Sequence, residues 1–141
     1  MNTAEYLQSH DIKPSVQRVA IMDYLQTHST HPTVEEIFVA LSPQMPTLSR
    51  TTVYNTLKLF EQMGVADMLT IDENNIRYDG CTTPHAHFCC KECGRIFDMD
   101  YPSYPTPDFS SEGFAIDEVH LYYKGLCPVC LQSRKPDAPL A

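Results

Sequence analysis

Two matched cysteine knuckles, Cys90-Lys91-Glu92-Cys93 and Cys127-Pro128-Val129-Cys130, limit the folds open to this chain more than any other feature. Two residues between thiols let one tight turn present both sulfurs to the same cation, and two such turns complete a closed tetrahedral Zn(II) site. The gap between the knuckles exceeds common zinc-finger spacing, but it can hold strands and a connection of its own, which would make the metal a clasp. Disulfides are the competing reading. The first residues carry no basic segment followed by an apolar stretch, so a reducing, cytoplasmic location is the default expectation and favours metal. A thioredoxin-like redox pair would need a βαβ setting that surrounds neither knuckle. Four thiolates saturate the ion and leave no position for substrate, so the zinc is expected to be structural.

A clasp is also what the size of the chain calls for. Its 141 residues make one ordinary domain or two small ones, and small domains build marginal cores. Composition changes near Gly80: every cysteine and most prolines come afterwards. The expected division is therefore residues 1–80, a Gly/Thr/Pro linker over 81–84, and residues 85–141. With 43% hydrophobic and 20% charged residues the chain falls in the globular range, and it lacks the long apolar run of a membrane span.

In the first part, Val16, Ala20, Ile21, Tyr24 and Leu25 recur at helical spacing over residues 15–28. Thr33 with Glu36 three residues later is a capping-box signature opening a helix that buries Ile37, Phe38 and Leu41. Ser49 caps a third helix, Arg50 to Met63, with Val53, Leu57 and Phe60 as its buried stripe and Gly64 as its stop. Two β-prone segments, 65–71 and 76–78, flank the turn-rich Asp72-Glu73-Asn74-Asn75. Three helices and a hairpin are the order of a winged helix-turn-helix. The second part reads as short strands at 85–90, 95–99 and 114–123, a small α/β domain. The fold class is thus α+β.

The third helix displays Arg50, Thr51, Tyr54, Asn55 and Lys58 opposite its buried stripe. Such a face suits double-stranded DNA, with Arg50 and Lys58 able to pair with phosphates and Tyr54 or Asn55 able to reach bases; a solvated helix surface is the plain alternative, above all for Lys58. The net charge of −8 opposes it. Five Lys/Arg face ten Asp/Glu through Asp79, and five face eight from Gly80 onward, so any DNA-binding surface must be local.

A second constellation joins His85-Ala86-His87 to Asp79 upstream, Asp98 downstream and His31 far away in the first part. Residues two apart on a strand point to one side, so His85 and His87 can both reach one cation. A His-x-His pair can equally be an accident of strand composition. A metallohydrolase would need a general base beside the pair, and no candidate stands there; the chain is not expected to be an enzyme.

Leu48-Ser49-Arg50-Thr51-Thr52-Val53-Tyr54-Asn55-Thr56-Leu57, His31-Pro32-Thr33, Arg77-Tyr78-Asp79, the His85-Ala86-His87 element and the two knuckles together resemble the ferric uptake regulator family, most closely its peroxide-sensing branch. The similarity runs from about Ile12 to Cys130. It implies a homodimeric repressor of operator DNA, with an N-terminal winged-helix domain and a C-terminal dimerisation domain whose zinc is held by four cysteines. It also implies a regulatory Fe(II) or Mn(II) site whose matching ligands are His31, Asp79, His85, His87 and Asp98. Asp98 stands where iron-uptake members commonly carry glutamate, which tilts the reading toward peroxide sensing, with His31 and His85 at the positions oxidised in that branch. An iron- or zinc-homeostasis regulator of the same family is the alternative.

The chain also departs from the pattern. Pro102, Pro105 and Pro107 replace much of what is usually a helix in relatives. Glu118 and His120 match an auxiliary metal site poorly. Cys81 and Cys89 are surplus to the zinc; Cys89, on an unbroken strand, shares the side of His85 and His87. They are candidate redox or haem-binding thiols, and a small buried hydrophobe is the plain reading of Cys89. Cys89 also competes with Cys90 as a ligand, but the two-residue gap to Cys93 favours Cys90.

Overall fold

A computed structural model describes residues 1–83, 85–101 and 108–133. The chain divides into two compact units, Met1–Thr83 and Pro84–Ala141.

The first unit is a winged helix-turn-helix: α1 (Thr3–Ser9), α2 (Val16–Thr27), α3 (Val34–Leu41), α4 (Arg50–Gln62), then β1 (Asp67–Leu69) and β2 (Arg77–Asp79). Helix starts follow the capping chemistry legible in the sequence. Ser15, Thr33 and Ser49 each accept from the backbone N–H three residues on, satisfying a donor that has no partner inside the helix. Helix α4 ends in a Schellman motif: Gly64 adopts a left-handed φ of 77°, its N–H donates to Glu61 O, and Val65 N–H donates to Phe60 O. One apolar cluster holds the unit together, with Leu7, Ile21, Met22, Ile37, Val53, Leu57, Phe60 and Val65 fully buried. The hairpin is antiparallel, pairing Asp67 with Asp79 and Leu69 with Arg77, and Tyr78 carries it into that cluster.

Helix α1 was not anticipated. Asn2 and Glu5 form a reciprocal capping box, whereas at Thr33 only the bond from Glu36 N–H to the Thr33 hydroxyl is seen; Leu7 is the side chain that α1 buries.

In the second unit, β3 (Ala86–Cys90) pairs antiparallel with β4 (Ile96–Met99) and parallel with β5 (Tyr122–Gly125), giving the order β4-β3-β5. The first two strands match expectation. The third does not: the expected strand 114–123 is strand only from Tyr122, and a single 3₁₀ turn, Ser110–Glu112, lies upstream. Every residue from 108 to 120 is exposed, so the apolar residues taken as a strand pattern have no sheet to pack on within the described residues. A short helix α5 (Pro128–Gln132) follows Cys127, with Pro128 in its first turn. The stretch 102–107, where the departure from relatives was noted, lies outside the described residues, as does residue 84 of the expected linker.

Candidate metal centres and recognition helix

The four knuckle cysteines converge. Cys90 closes β3, Cys93 sits in the turn to β4, Cys127 caps α5 and Cys130 lies within it, and their sulfurs lie within 4.8 Å of one another. Backbone amides organise the cluster: Cys93 N–H and Cys127 N–H donate to Cys90 Sγ at 3.5 and 3.4 Å, while Cys93 Sγ and Cys127 Sγ are 3.9 Å apart. These amide donors, that of Cys93 foremost, lower the Cys90 thiol to about 6. The Cys130 thiol moves the opposite way, raised first by its hydrogen bond with Cys127 and then by desolvation. A thiolate is thus favoured at Cys90 and resisted at Cys130, a resistance that a divalent cation would relieve. Four convergent sulfurs with amide donors fit Zn(II), and the closed set leaves no side for substrate. Cys89 is not part of this set: its Sγ donates weakly to Cys90 O at 3.8 Å.

Each unit also carries half of a His/Asp constellation. In the first, His31 Nε2 lies 3.5 Å from Asp79 Oδ2, with both side chains nearly inaccessible. His31 holds a left-handed φ of 56°, a conformation that costs a residue with Cβ on the order of 1–3 kcal/mol and needs surrounding structure to maintain it. That structure is strand β2: Arg77 Nη1 donates to His31 O at 3.1 Å, and Tyr78 N–H donates to Pro32 O at 2.9 Å. Cys81 N–H fixes the Asp79 carboxylate through Oδ1 at 2.9 Å. Three consecutive residues, Arg77, Tyr78 and Asp79, therefore pin, anchor and face His31.

In the second unit, His87 and Asp98 are cross-strand partners on β3 and β4, and His85 precedes β3 by one residue. The i, i+2 spacing brings both imidazoles to one side as expected, with ring centroids 4.4 Å apart. Asp98 Oδ1 lies 3.2 Å from His85 Nε2 and 3.5 Å from His87 Nε2. One carboxylate oxygen facing two imidazole nitrogens is an N/O chelating set for a borderline cation. Cys81 is exposed and Cys89 half-buried.

On α4, Thr51, Tyr54, Asn55 and Lys58 are exposed. Arg50 is exposed too, and it is paired within the protein. Its Nε and Nη2 donate to Glu35 Oε2 and Oε1 at 2.6 and 2.9 Å, and its guanidinium lies 4.3 Å over the Phe38 ring. Glu35 and Phe38 sit on α3 and were not anticipated at this face; no periodicity marks a pairing between two helices. A groove of about 490 Å³ runs between the start of α2 and α4, lined by Ser15, Arg18, Thr52 and Asn55 among others.

The pattern of the Ferric uptake regulator family matches residues 9–124. A peroxide-responsive repressor PerR of Staphylococcus aureus (strain Mu50 / ATCC 700699) is 42% identical over 127 residues, which is 88% of this chain and 86% of the relative. PerR of Staphylococcus epidermidis is 34% identical over 127 residues, 88% of this chain and 85% of the relative. Among solved structures, PerR from Streptococcus pyogenes, described for peroxide sensing and gene regulation, superposes with a TM-score of 0.52 at 29% identity, covering 92% of this chain and 90% of that one. The Helicobacter pylori ferric uptake regulator Fur reaches 0.68 at 20% identity, covering 93% and 90%, a likeness of fold. The chain belongs to the ferric uptake regulator family.

Proposed function

We propose that this protein is a metal-dependent, homodimeric repressor of operator DNA that senses peroxide through a regulatory Fe(II) or Mn(II), with Zn(II) as a structural clasp and no catalytic turnover of its own. The observation that carries the reading is the pair of chelating sets. His31 with Asp79, held on strained backbone, and His85 with His87 and Asp98, held across two strands, each fall short of a full coordination sphere. One cation taking ligands from both would fix how the two units are disposed, and hence the separation of recognition helices in a dimer. Paired helices bind together only when their spacing fits successive major-groove half-sites. When bound, Fe(II) supplies the electron that turns peroxide into an oxidant of neighbouring side chains, which Mn(II) does not readily do. The resemblance to peroxide-sensing members assigns that damage to His31 and His85, and losing either would sever the link. Similarity to PerR repressors at up to 42% identity supports the peroxide signal. The exposed Phe114, Ile116 and Val119 of the second unit support a second copy as their cover. A cytosolic site of action follows from this role; among the described residues no helix is long and apolar enough to cross a membrane.

The test is duplex-DNA binding by apo and Mn(II)-loaded protein, with His87→Ala and Asp79→Ala alongside. Metal should tighten binding by roughly 5–150-fold in the wild type and by little in either variant, while zinc content stays constant. Equal affinity of apo and Mn(II) protein would remove the metal from the switch.

A further inference from the structure

We propose that Arg50 reads a guanine base in the operator's major groove, and that Glu35 and Phe38 are the positioning residues that aim it. The inference deepens the DNA-binding reading above and rests on it. Arg50 is the first residue of α4, and the first residues of a recognition helix are those that meet base edges. Its side chain remains 62% exposed although it is held on two sides. Glu35 takes one edge of the planar fork through Nε and Nη2, and the central carbon of the fork sits over the Phe38 ring. The outer edge, formed by Nη1 and the second Nη2 hydrogen, still has its donors. Two parallel donors on one edge match guanine O6 and N7, the commonest specific contact arginine makes with DNA.

The same geometry argues against a phosphate role. A carboxylate at hydrogen-bond distance neutralises the charge a phosphate would attract and repels the phosphate itself. A flexible side chain gains most from being fixed before binding, because less rotamer freedom is lost when the contact forms. Glu35 and Phe38 come from α3, so the aim of the fork is set by how the two helices pack.

The experiment uses the full chain loaded with Mn(II). Sites are selected from a randomised duplex library by the wild type, Arg50→Ala, Glu35→Gln and Lys58→Ala, and affinities are then measured at low and physiological salt. The wild type should prefer guanine at one position per half-site. Arg50→Ala should lose that preference, roughly tenfold to a hundredfold, leaving other positions and the salt slope unchanged. Glu35→Gln should lose part of it and steepen the salt dependence, because the released guanidinium can then turn to phosphate. Lys58→Ala should keep the guanine. If Arg50→Ala weakens all sequences evenly and reduces the salt slope by about one, Arg50 is a phosphate contact and the proposal is overturned. A guanine preference untouched in Glu35→Gln overturns the positioning role. Wild-type protein that selects no sequence at all overturns the DNA-binding reading itself, a result distinct from an Arg50→Ala variant that selects the wild-type sites.

Discussion

The two units are stabilised by different means. The first buries a continuous apolar cluster drawn from all four helices and the wing, including Leu7, Ile21, Met22, Ile37, Leu57 and Phe60. The second, among the described residues, buries only Ala86, His87, Cys90 and Cys127, and two of those four are cysteines of the knuckle cluster. Buried apolar area is the main favourable contribution to folding. The helical unit therefore has its own source of stability, whereas the three-stranded unit has little besides its sheet, its cysteine cluster and whatever covers its exposed apolar residues. A metal clasp in the second unit and a hydrophobic core in the first are two answers to the problem of small size.

The largest effect should come from breaking the clasp. Cys90→Ser removes the sulfur toward which two backbone amides point, and structural zinc contributes on the order of 10 kcal/mol to folding of small domains. Hydrogen exchange should show β3, β4 and β5 unprotected while α2 and α4 keep their protection. Retained protection across β3 would mean that the second unit has a source of stability other than the metal.

The converse substitution, Phe60→Ala, acts on the first unit. It empties a fully buried site in the apolar cluster and should cost about 3–5 kcal/mol. The urea midpoint followed through the helical signal should fall sharply, yet zinc should stay bound in the same molecules. Simultaneous loss of zinc would show that the units do not stand independently.

A smaller effect sharpens the picture of the wing. Asp72 accepts from Asn74 N–H at 2.9 Å and from Arg77 Nε at 3.1 Å. The Asn74 amide first, with help from Arg77, lowers its carboxyl below the ordinary value. A depressed carboxyl contributes stability that is present above its unfolded value near 3.8 and is lost as pH falls through the lower native value. Asp72→Asn should therefore cost roughly 1–2 kcal/mol at neutral pH. The gap between variant and wild type should close in acid, as measured by paired denaturation curves.

The contrast between units also explains what the sequence disclosed. Helices α2, α3 and α4 were legible because capping residues and a 3.6-residue apolar period agree where a core is built. The wing was legible from its turn. Cysteine spacing located the metal cluster without any need for the fold. In the second unit the same reasoning failed over 114–121, because Phe114 and Ile116 alternate as a strand would while they and the nearby Val119 remain exposed. Alternation is informative only where one face meets a core. At the candidate sites, His85 and His87 were readable from strand period. The left-handed backbone of His31 and the Glu35–Arg50 pair depend on contacts across the fold, and no local pattern encodes them.

The central claim, that the regulatory cation and not a thiol converts peroxide into release from DNA, is tested most directly by one measurement. Fe(II)-loaded and Mn(II)-loaded protein, each bound to duplex DNA, are treated with peroxide, followed by anisotropy, and the recovered protein is mapped by mass spectrometry. Release is expected only with Fe(II), accompanied by one added oxygen on a peptide containing His31 or His85. Release accompanied by oxidation confined to Cys81 or Cys89, or release of the Mn(II) form to the same extent, would contradict the account.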